Sequence, residues 1–440
     1  MNPLDAMNPK TLHHLYQCYL EQGQLVSTDT RKLPAGCLFF ALKGPNFNGN
    51  LFAQQALENG AAYAIVDEPL PTGADPARFI LVKDGLQALQ ALANHHRKQF
   101  SIPVLGITGS NGKTTTKELV AKVLAKKWLT HATAGNFNNH IGVPLTLLAM
   151  PLNTEIAVIE MGDNQLGDLT EICKIAEPTH GLITNIGKDH IEGYGDFEGN
   201  IRAKSELYHY LIQKGGIGFV PAFDPILVNM AKRFQAPVFY GNEASGIAPE
   251  LLNALPFVAY KNAQGKEVTT QLAGKYNFWN VLAAEKLGRY FRVVSKDIDE
   301  AIAAYKPENN RSQVIKTTRN TIFLDAYNAN PSSVSVALES LAEWKTADKK
   351  MVILGDMLEL GNISTEEHRA MVAKTSNMPF DECLFCGSAY FEVKQSSDKG
   401  YFFKDKTALE DYLKTNAPQS MLIMLKGSRG LQLEKLLPLL

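Results

Sequence analysis

One segment constrains this chain more than any other. Ser101-Ile102-Pro103-Val104-Leu105-Gly106-Ile107 is a short apolar run suited to a buried strand. Thr108-Gly109-Ser110-Asn111-Gly112-Lys113-Thr114-Thr115 follows directly, and Leu119, Val120, Val123 and Leu124 then recur at helical spacing over Thr116–Lys127. Strand, glycine loop and helix in that order are the setting of a phosphate-binding loop. The loop amides and the helix N-terminus form an anion cradle. Lys113 is placed to reach the β- and γ-phosphates of a nucleoside triphosphate, and the Thr114 hydroxyl to ligate Mg²⁺. The competing reading is a tight turn with a capping threonine, which the intact Gly-Lys-Thr-Thr disfavours. The loop departs from the ordinary G-x-x-x-x-G-K-[ST] spacing, because Ile107 stands where its first glycine belongs.

A loop of this kind opens a nucleotide fold, so residues 1–100 are expected to form a separate first domain. Short strands there (Cys37–Leu42, Ala62–Val66, Phe79–Val82) alternate with helix-like stretches (Phe52–Asn59, Gly85–Phe100). A central domain, 101–310, continues with strands at Ile156–Met161, Gly181–Ile186 and Ile217–Val220 and closes on a helix at Asn277–Phe291. That alternation predicts a doubly wound α/β sheet. Lys306–Arg311 is polar, contains a proline and reads as a linker. The third domain, 311–440, places strands at Thr321–Asp325, Met351–Gly355, Glu382–Phe385 and Ser420–Leu425, with helices such as Ser332–Trp344 and Glu366–Thr375. The expected fold class is α/β throughout, in three domains, which agrees with 440 residues at roughly 150 per domain.

Composition narrows the function classes. Forty-four basic and 45 acidic residues leave a net charge of −1. That argues against a nucleic-acid coat protein and a polybasic membrane binder. No apolar run reaches ~18 residues, so no membrane insertion is expected. Met1–Lys10 carries no basic and apolar leader pattern, and five scattered cysteines suit a reducing compartment. The expected location is the cytoplasm. Cys383 and Cys386 form a C-x-x-C, but inside an apolar run and without a second pair, so buried strand residues are expected rather than a redox or zinc site. His13, His14, His95 and His96 lie on helix-like stretches and read as structural.

Three residues beyond the loop stand where chemistry is expected. Glu160 ends the strand after the loop, where an α/β sheet presents its ligand crevice, and offers the hard oxygen that Mg²⁺ prefers. His190 closes the next strand in Thr184-Asn185-Ile186-Gly187-Lys188-Asp189-His190. Lys204 follows on a helix. Chemistry alone makes it a surface lysine, since an ammonium is donor-only, and it could ligate a cation only as a carbamate.

Together these motifs resemble the Mur ligases, the ATP-dependent amide-forming enzymes of peptidoglycan precursor synthesis. Thr108–Thr115 is similar to the family's loop, displaced glycine included. Gly135-Asn136-Phe137-Asn138-Asn139-His140-Ile141-Gly142-Val143-Pro144 resembles its G-N-x-N-N-x-I-G-V-P segment. Gly274-Lys275-Tyr276-Asn277-Phe278-Trp279-Asn280 resembles its G-x-H-N-x-x-N motif, with Tyr276 in place of the usual His. In the third domain Asp325-Ala326-Tyr327-Asn328-Ala329-Asn330-Pro331, Gly355–Gly361 with His368, and Lys426-Gly427-Ser428-Arg429 are similar to the branch that adds D-alanyl-D-alanine. In the first domain Ser27–Arg31 and Pro34–Gly44 resemble a uridine-diphosphate segment, with Asn48-Gly49-Asn50 where the family often reads D-G-H.

The resemblance implies roles. Lys113, Glu160, His190 and Lys204 would be catalytic. Gly109, Ser110, Asn111, Gly112, Lys113, Thr114, Thr115, Asn277, Asn280, Arg311 and Asp325 would bind ATP. Thr28, Asp29, Arg31, Asn138, Asn139, Tyr327, Asn328 and Asn330 would bind substrate. Two Mg²⁺ ions are implied, one on Thr114 and Glu160, the other on His190 and a carbamylated Lys204. The implied substrates are UDP-N-acetylmuramoyl-tripeptide and D-alanyl-D-alanine, acted on by a monomer through an acyl phosphate. The alternatives are a ligase one step earlier that adds diaminopimelate or lysine, a ligase acting on folate-glutamate or another acceptor, and a repurposed ATP-binding protein without activity.

Overall fold

The computed structural model describes residues 7–70, 73–241, 249–308 and 310–440. Part of the amino-terminal stretch read for a leader, and Asn309 in the linker, lie outside the described residues. Among the described residues no helix is long and apolar enough to cross a membrane.

Each expected domain is organised around one mainly or wholly parallel sheet. The first sheet has four parallel strands in the order Val26–Ser27, Leu38–Phe40, Tyr63–Val66, Phe79–Leu81. The central sheet has six, in the order Val238–Tyr240, Ile217–Pro221, His180–Ile183, Val104–Thr108, Ile156–Glu160, Thr130–Ala132. All its pairings are parallel. The loop strand Val104–Thr108 lies inside the sheet, between the strands that end at Glu160 and Ile183. The carboxyl ends of all three therefore open on one crevice. An antiparallel meander, Glu250–Asn253, Ala259–Lys261 and Glu267–Thr269, was not anticipated. The last sheet runs Gln313–Lys316, Thr321–Asp325, Met421–Lys426, Lys349–Gly355, Glu382–Cys386, Tyr401–Phe403. Its first strand is antiparallel to the rest and was also not anticipated.

The helix Lys113–Leu124 buries Leu119, Val120, Val123 and Leu124, and packs on Lys275–Tyr290. That pairing carries the Asn277–Asn280 motif to the side of the loop.

The first two domains share a core. The helix Gly85–Arg97 is capped by Asp84, which accepts from the Gln87 amide at 2.8 Å, and it packs on Gly142–Leu148 and Asp168–Ala176 of the central domain. Its buried polar residues satisfy groups across that seam. Asn94 donates to the Ile175 carbonyl at 3.0 Å, and Arg97 to the Ala176 and Glu177 carbonyls at 2.9 and 3.0 Å. Those carbonyls belong to a helix C-terminus, which otherwise leaves its last acceptors without partners. His96 bridges the Tyr16 hydroxyl and the Met150 carbonyl at 3.2 and 2.9 Å, and burial lowers its pKa. The structural reading of His96 holds.

Cys383 and Cys386 are buried in a central strand and free. They lie three residues apart and fall into two different core clusters, one on each side of the sheet. Burial pushes their thiols up to about 11 and about 12. They are packing residues, as expected from the apolar run.

Candidate active site

The carboxyl ends of the central and last sheets face one another across a cleft of about 720 Å³. The glycine loop forms one wall. Gly109 has φ +134°, and a Cβ there would meet the Thr184 hydroxyl at 2.1 Å; Gly112 has φ +79° and abuts the Asn280 amide. Only glycine fits either place. Lys113 folds back on the loop and donates to the Gly109 and Ser110 carbonyls. Burial lowers its pKa, the like charge of Lys204 adds to this, and Asp189, Asp163 and Glu160 pull the other way.

Glu160 is 1% exposed at the end of the strand Ile156–Glu160. Its Oε1 accepts from the Thr114 hydroxyl at 3.0 Å and from the Asn138 amide at 2.9 Å. Its Oε2 is buried with no partner among the described residues. An unpartnered carboxylate oxygen beside a threonine hydroxyl fits a divalent cation arriving with phosphates. No group of three or more His, Cys, Asp or Glu side chains among the described residues is arranged to hold a metal without such a ligand.

Lys204 is completely buried, which corrects its reading as a surface lysine. Its ammonium donates to Asp163 at 2.8 and 2.9 Å and to the Tyr194 hydroxyl at 2.9 Å, with Asp189 at 3.5 Å. Burial opposes the charged form, but Asp189 and Asp163 outweigh it and raise the Lys204 pKa. For Asp189 burial is again opposed, here by Lys204, Lys113 and His190, and its pKa is lowered. Asp189 also accepts from the Ser110 hydroxyl and from Asn200 at 2.7 Å, while its Oδ2 has no hydrogen-bond partner among the described residues. His190 Nε2 lies 4.0 Å from that oxygen, and its Nδ1 meets Glu359 of the last domain at 2.7 Å. Asp163, Asp189 and Tyr194 were not singled out from sequence. The one signal was positional: Asp189 immediately precedes His190 in the loop that follows the strand His180–Ile183.

The opposite wall comes from the last domain. The Arg311 guanidinium stacks 3.5 Å from the Tyr327 ring centre. Asp325 takes the Ser312 amide at 3.2 Å and Lys426 at 2.7 Å, and Lys426 also donates to the Asn328 carbonyl at 3.2 Å. Asn330 does two things. Its Oδ1 caps the helix Pro331–Glu343 through Ser333 at 2.8 Å, and its amide reaches Asn111 of the loop at 2.9 Å. With Lys188 bonded to Ser332 and Glu367, this holds the last domain against the loop.

Other expected residues sit differently. Asn277 and Asn280 line the cleft but bond inward, to the Ala273 carbonyl and to each other at 2.7 and 2.9 Å, and Thr116 donates to Asn280 at 3.0 Å. Tyr276 bonds Ser312 across the linker at 2.7 Å. The Asn139 side-chain oxygen accepts the Gly142 amide at 2.8 Å, just ahead of the helix Gly142–Leu148. Thr28, Asp29 and Arg31 do not line this cleft. They lie in the first domain, where Arg31 and Asp29 form a two-bond pair at 2.8 Å that holds Asp29 down at about 2. Asn48 and Asn50 are tied to Glu68 and Asp67 at 3.1 and 2.8 Å.

Residues 24–97 match the family model "Mur ligase family, catalytic domain", 107–287 "Mur ligase middle domain", and 310–429 "Mur ligase, glutamate ligase domain". A curated relative, the UDP-N-acetylmuramoyl-tripeptide–D-alanyl-D-alanine ligase of Bacillus subtilis, is 36% identical over 93% of this chain and 92% of its own length. The chain belongs to the Mur ligase family. Among solved Mur ligases, the structure of MurF from Acinetobacter baumannii superposes with a TM-score of 0.83 at 29% identity, covering 96% of this chain and 97% of that one. The MurF ligase from Thermotoga maritima in complex with ADP gives 0.79 at 25% identity, covering 94% and 96%. The three matched ranges correspond to the three mainly parallel sheets.

Proposed function

We propose that this chain is the ATP-dependent ligase that joins D-alanyl-D-alanine to UDP-N-acetylmuramoyl-tripeptide in the cytoplasm. The observation that carries the proposal is the cleft. A phosphate loop with Lys113, Thr114 and Glu160 faces Arg311, Asp325, Tyr327 and Asn328 of a segment similar to that of the D-alanyl-D-alanine branch. Likeness to ligases of that specificity over nearly the whole chain, and to one of them holding ADP, supports it.

The reaction has two steps. An oxygen of the tripeptide carboxylate attacks the γ-phosphorus of ATP, and ADP leaves. The dipeptide amine then attacks the acyl carbon, phosphate leaves, and the nitrogen loses its proton. Phosphoryl transfer of this kind is chiefly positioning and charge neutralisation. Lys113 leaves its two loop carbonyls for the phosphate oxygens, and the loop amides hold the rest. Bound Mg²⁺ would neutralise the opposing anions, held by Thr114 and Glu160 at one place and by His190 with carbamylated Lys204 at a second. Asp189 Oδ2 is a further oxygen at that second place. The last domain, pinned to Asn111 through Asn330, keeps water from the acyl phosphate. In the proposed division, residues 1–100 take the uridine end through Thr28, Asp29 and Arg31, residues 101–310 the phosphates, and residues 311–440 the nucleoside and dipeptide.

Carbamylation of Lys204 has a definite electrostatic requirement. The amine must lose its proton, which Asp163 and Asp189 oppose, and the carbamate adds a third anion beside them. A divalent cation would relieve both. Enzyme loaded with Mg²⁺ and carbon-13 bicarbonate is expected to show a carbamate carbon signal that Lys204→Met lacks; its absence from wild type contradicts the modification. The reaction path is tested with tripeptide carrying oxygen-18 in its terminal carboxylate. One labelled oxygen is expected in the released phosphate, and unlabelled phosphate contradicts an acyl phosphate.

A further inference from the structure

Lys117 lies one turn beyond Lys113 on the same helix and is 3% exposed. Its ammonium does not point into the cleft. It donates to the Thr133 carbonyl at 2.7 Å and the Gly135 carbonyl at 3.1 Å, with Glu118 at 3.5 Å. A buried ammonium needs such acceptors, and here they are specific ones. Thr133 also accepts the Glu160 amide on its hydroxyl at 2.9 Å. Gly135 begins the segment that carries Asn138, whose amide holds Glu160 Oε1 at 2.9 Å. Thr114, which also holds Oε1, is on the helix of Lys117 itself.

We infer that Lys117 is a positioning residue that ties the loop helix to residues 133–138 and so aims Glu160 and Thr114 at the cation. Three elements meet at Glu160: its own strand, the Thr133–Asn138 segment and the loop helix. Among the described residues, only Lys117 is seen to bond directly between the latter two near their shared end. Glu160 Oε2 is thereby left free while Oε1 is fixed from two sides. The inference rests on the nucleotide and Mg²⁺ part of the proposed function, and goes beyond it by naming a residue that touches neither.

The test is calorimetric titration of ADP with and without Mg²⁺ into wild type, Lys117→Met and Thr133→Val. The second variant keeps shape and removes only the acceptor of the Glu160 amide. In wild type, Mg²⁺ is expected to tighten ADP binding. In both variants that tightening is expected to fall about tenfold, as for other residues that orient a metal ligand. Affinity for ADP without Mg²⁺ is expected to stay unchanged, since the loop is intact. A general loss of packing would weaken both titrations alike, and that result, or no change in either, overturns the inference. If Lys117→Met does not fold, Lys117→Gln, shorter and uncharged, decides by the same criterion. Wild type that binds no ADP overturns the functional reading and this inference together.

Discussion

Lys113→Ala is expected to lower ATP turnover by at least about 10³-fold while the thermal transition stays at its wild-type position. The size follows from removing one preorganised positive group from the point where phosphoryl charge develops, which in comparable sites costs about 10²–10³ in rate; here the same group also binds the ground-state phosphates. The fold should tolerate the change because Lys113 bonds only the Gly109 and Ser110 carbonyls of its own loop. Lys113 itself lines the cleft, so losing the ammonium leaves no charge sealed in the core. Steady-state phosphate release and a melting curve check both halves. Wild-type turnover in the variant contradicts the site assignment, and a large fall in melting temperature contradicts the view that Lys113 is free to move.

Lys204→Met is expected to be the opposite case, damaging the fold as well as the reaction. Removing the ammonium leaves Asp163 and Asp189 as buried neighbouring anions. Breaking a buried ion pair from one side costs about 3–5 kcal/mol. The signs of the pH dependence follow from the shifts. Lys204 is raised, so its contribution is complete below the unfolded lysine value of about 10.4 and is lost as pH rises through the folded one. Asp189 is lowered, so its contribution is present above about pH 3.9 and is lost as pH falls through the folded value. The stability gap between wild type and variant is therefore expected to be flat from about pH 5 to 9 and to close outside that range. Denaturant unfolding of metal-free protein across pH measures it. A gap below about 1 kcal/mol at neutral pH would sink the buried-pair account.

How much of this was legible in the sequence depended on the distance over which each residue finds its partners. The loop strand, the glycines and the first helix announce themselves because their signal is local: an apolar run, then φ-permissive residues, then helical spacing. Glu160 could be placed at the crevice because its strand ends there, and His190 because it lies in the loop after the neighbouring strand, although that strand already ends at Ile183. The meander over 250–269 escaped because its strands are three or four residues long and largely exposed, so they carry no apolar run. The edge strand Gln313–Lys316 is half-exposed for the same reason. The shared core of the first two domains escaped because its apolar residues, among them Leu15, Leu89, Leu92, Leu147 and Ile172, come from segments far apart in the chain. The partners of Asn94, His96 and Arg97, the carbonyls of Ile175, Met150 and Ala176, lie 54 to 81 positions away and come opposite them only in the fold. Lys117, Asp163 and Asp189 are ordinary charged residues in sequence. Their roles arise from partners 15 to 79 positions away that only the sheet order assembles. Lys204 shows both sides: its chemistry alone said surface, the family pattern said site, and the fold buries it between two aspartates.

The most direct test of the central claim is phosphate release from ATP and Mg²⁺ with UDP-N-acetylmuramoyl-tripeptide, with D-alanyl-D-alanine, and with both. The shorter precursor plus diaminopimelate or lysine serves as the control. Sustained release only when tripeptide and D-alanyl-D-alanine are present together is the predicted result. Release with the shorter precursor and a free amino acid, or no release with any pair, contradicts it.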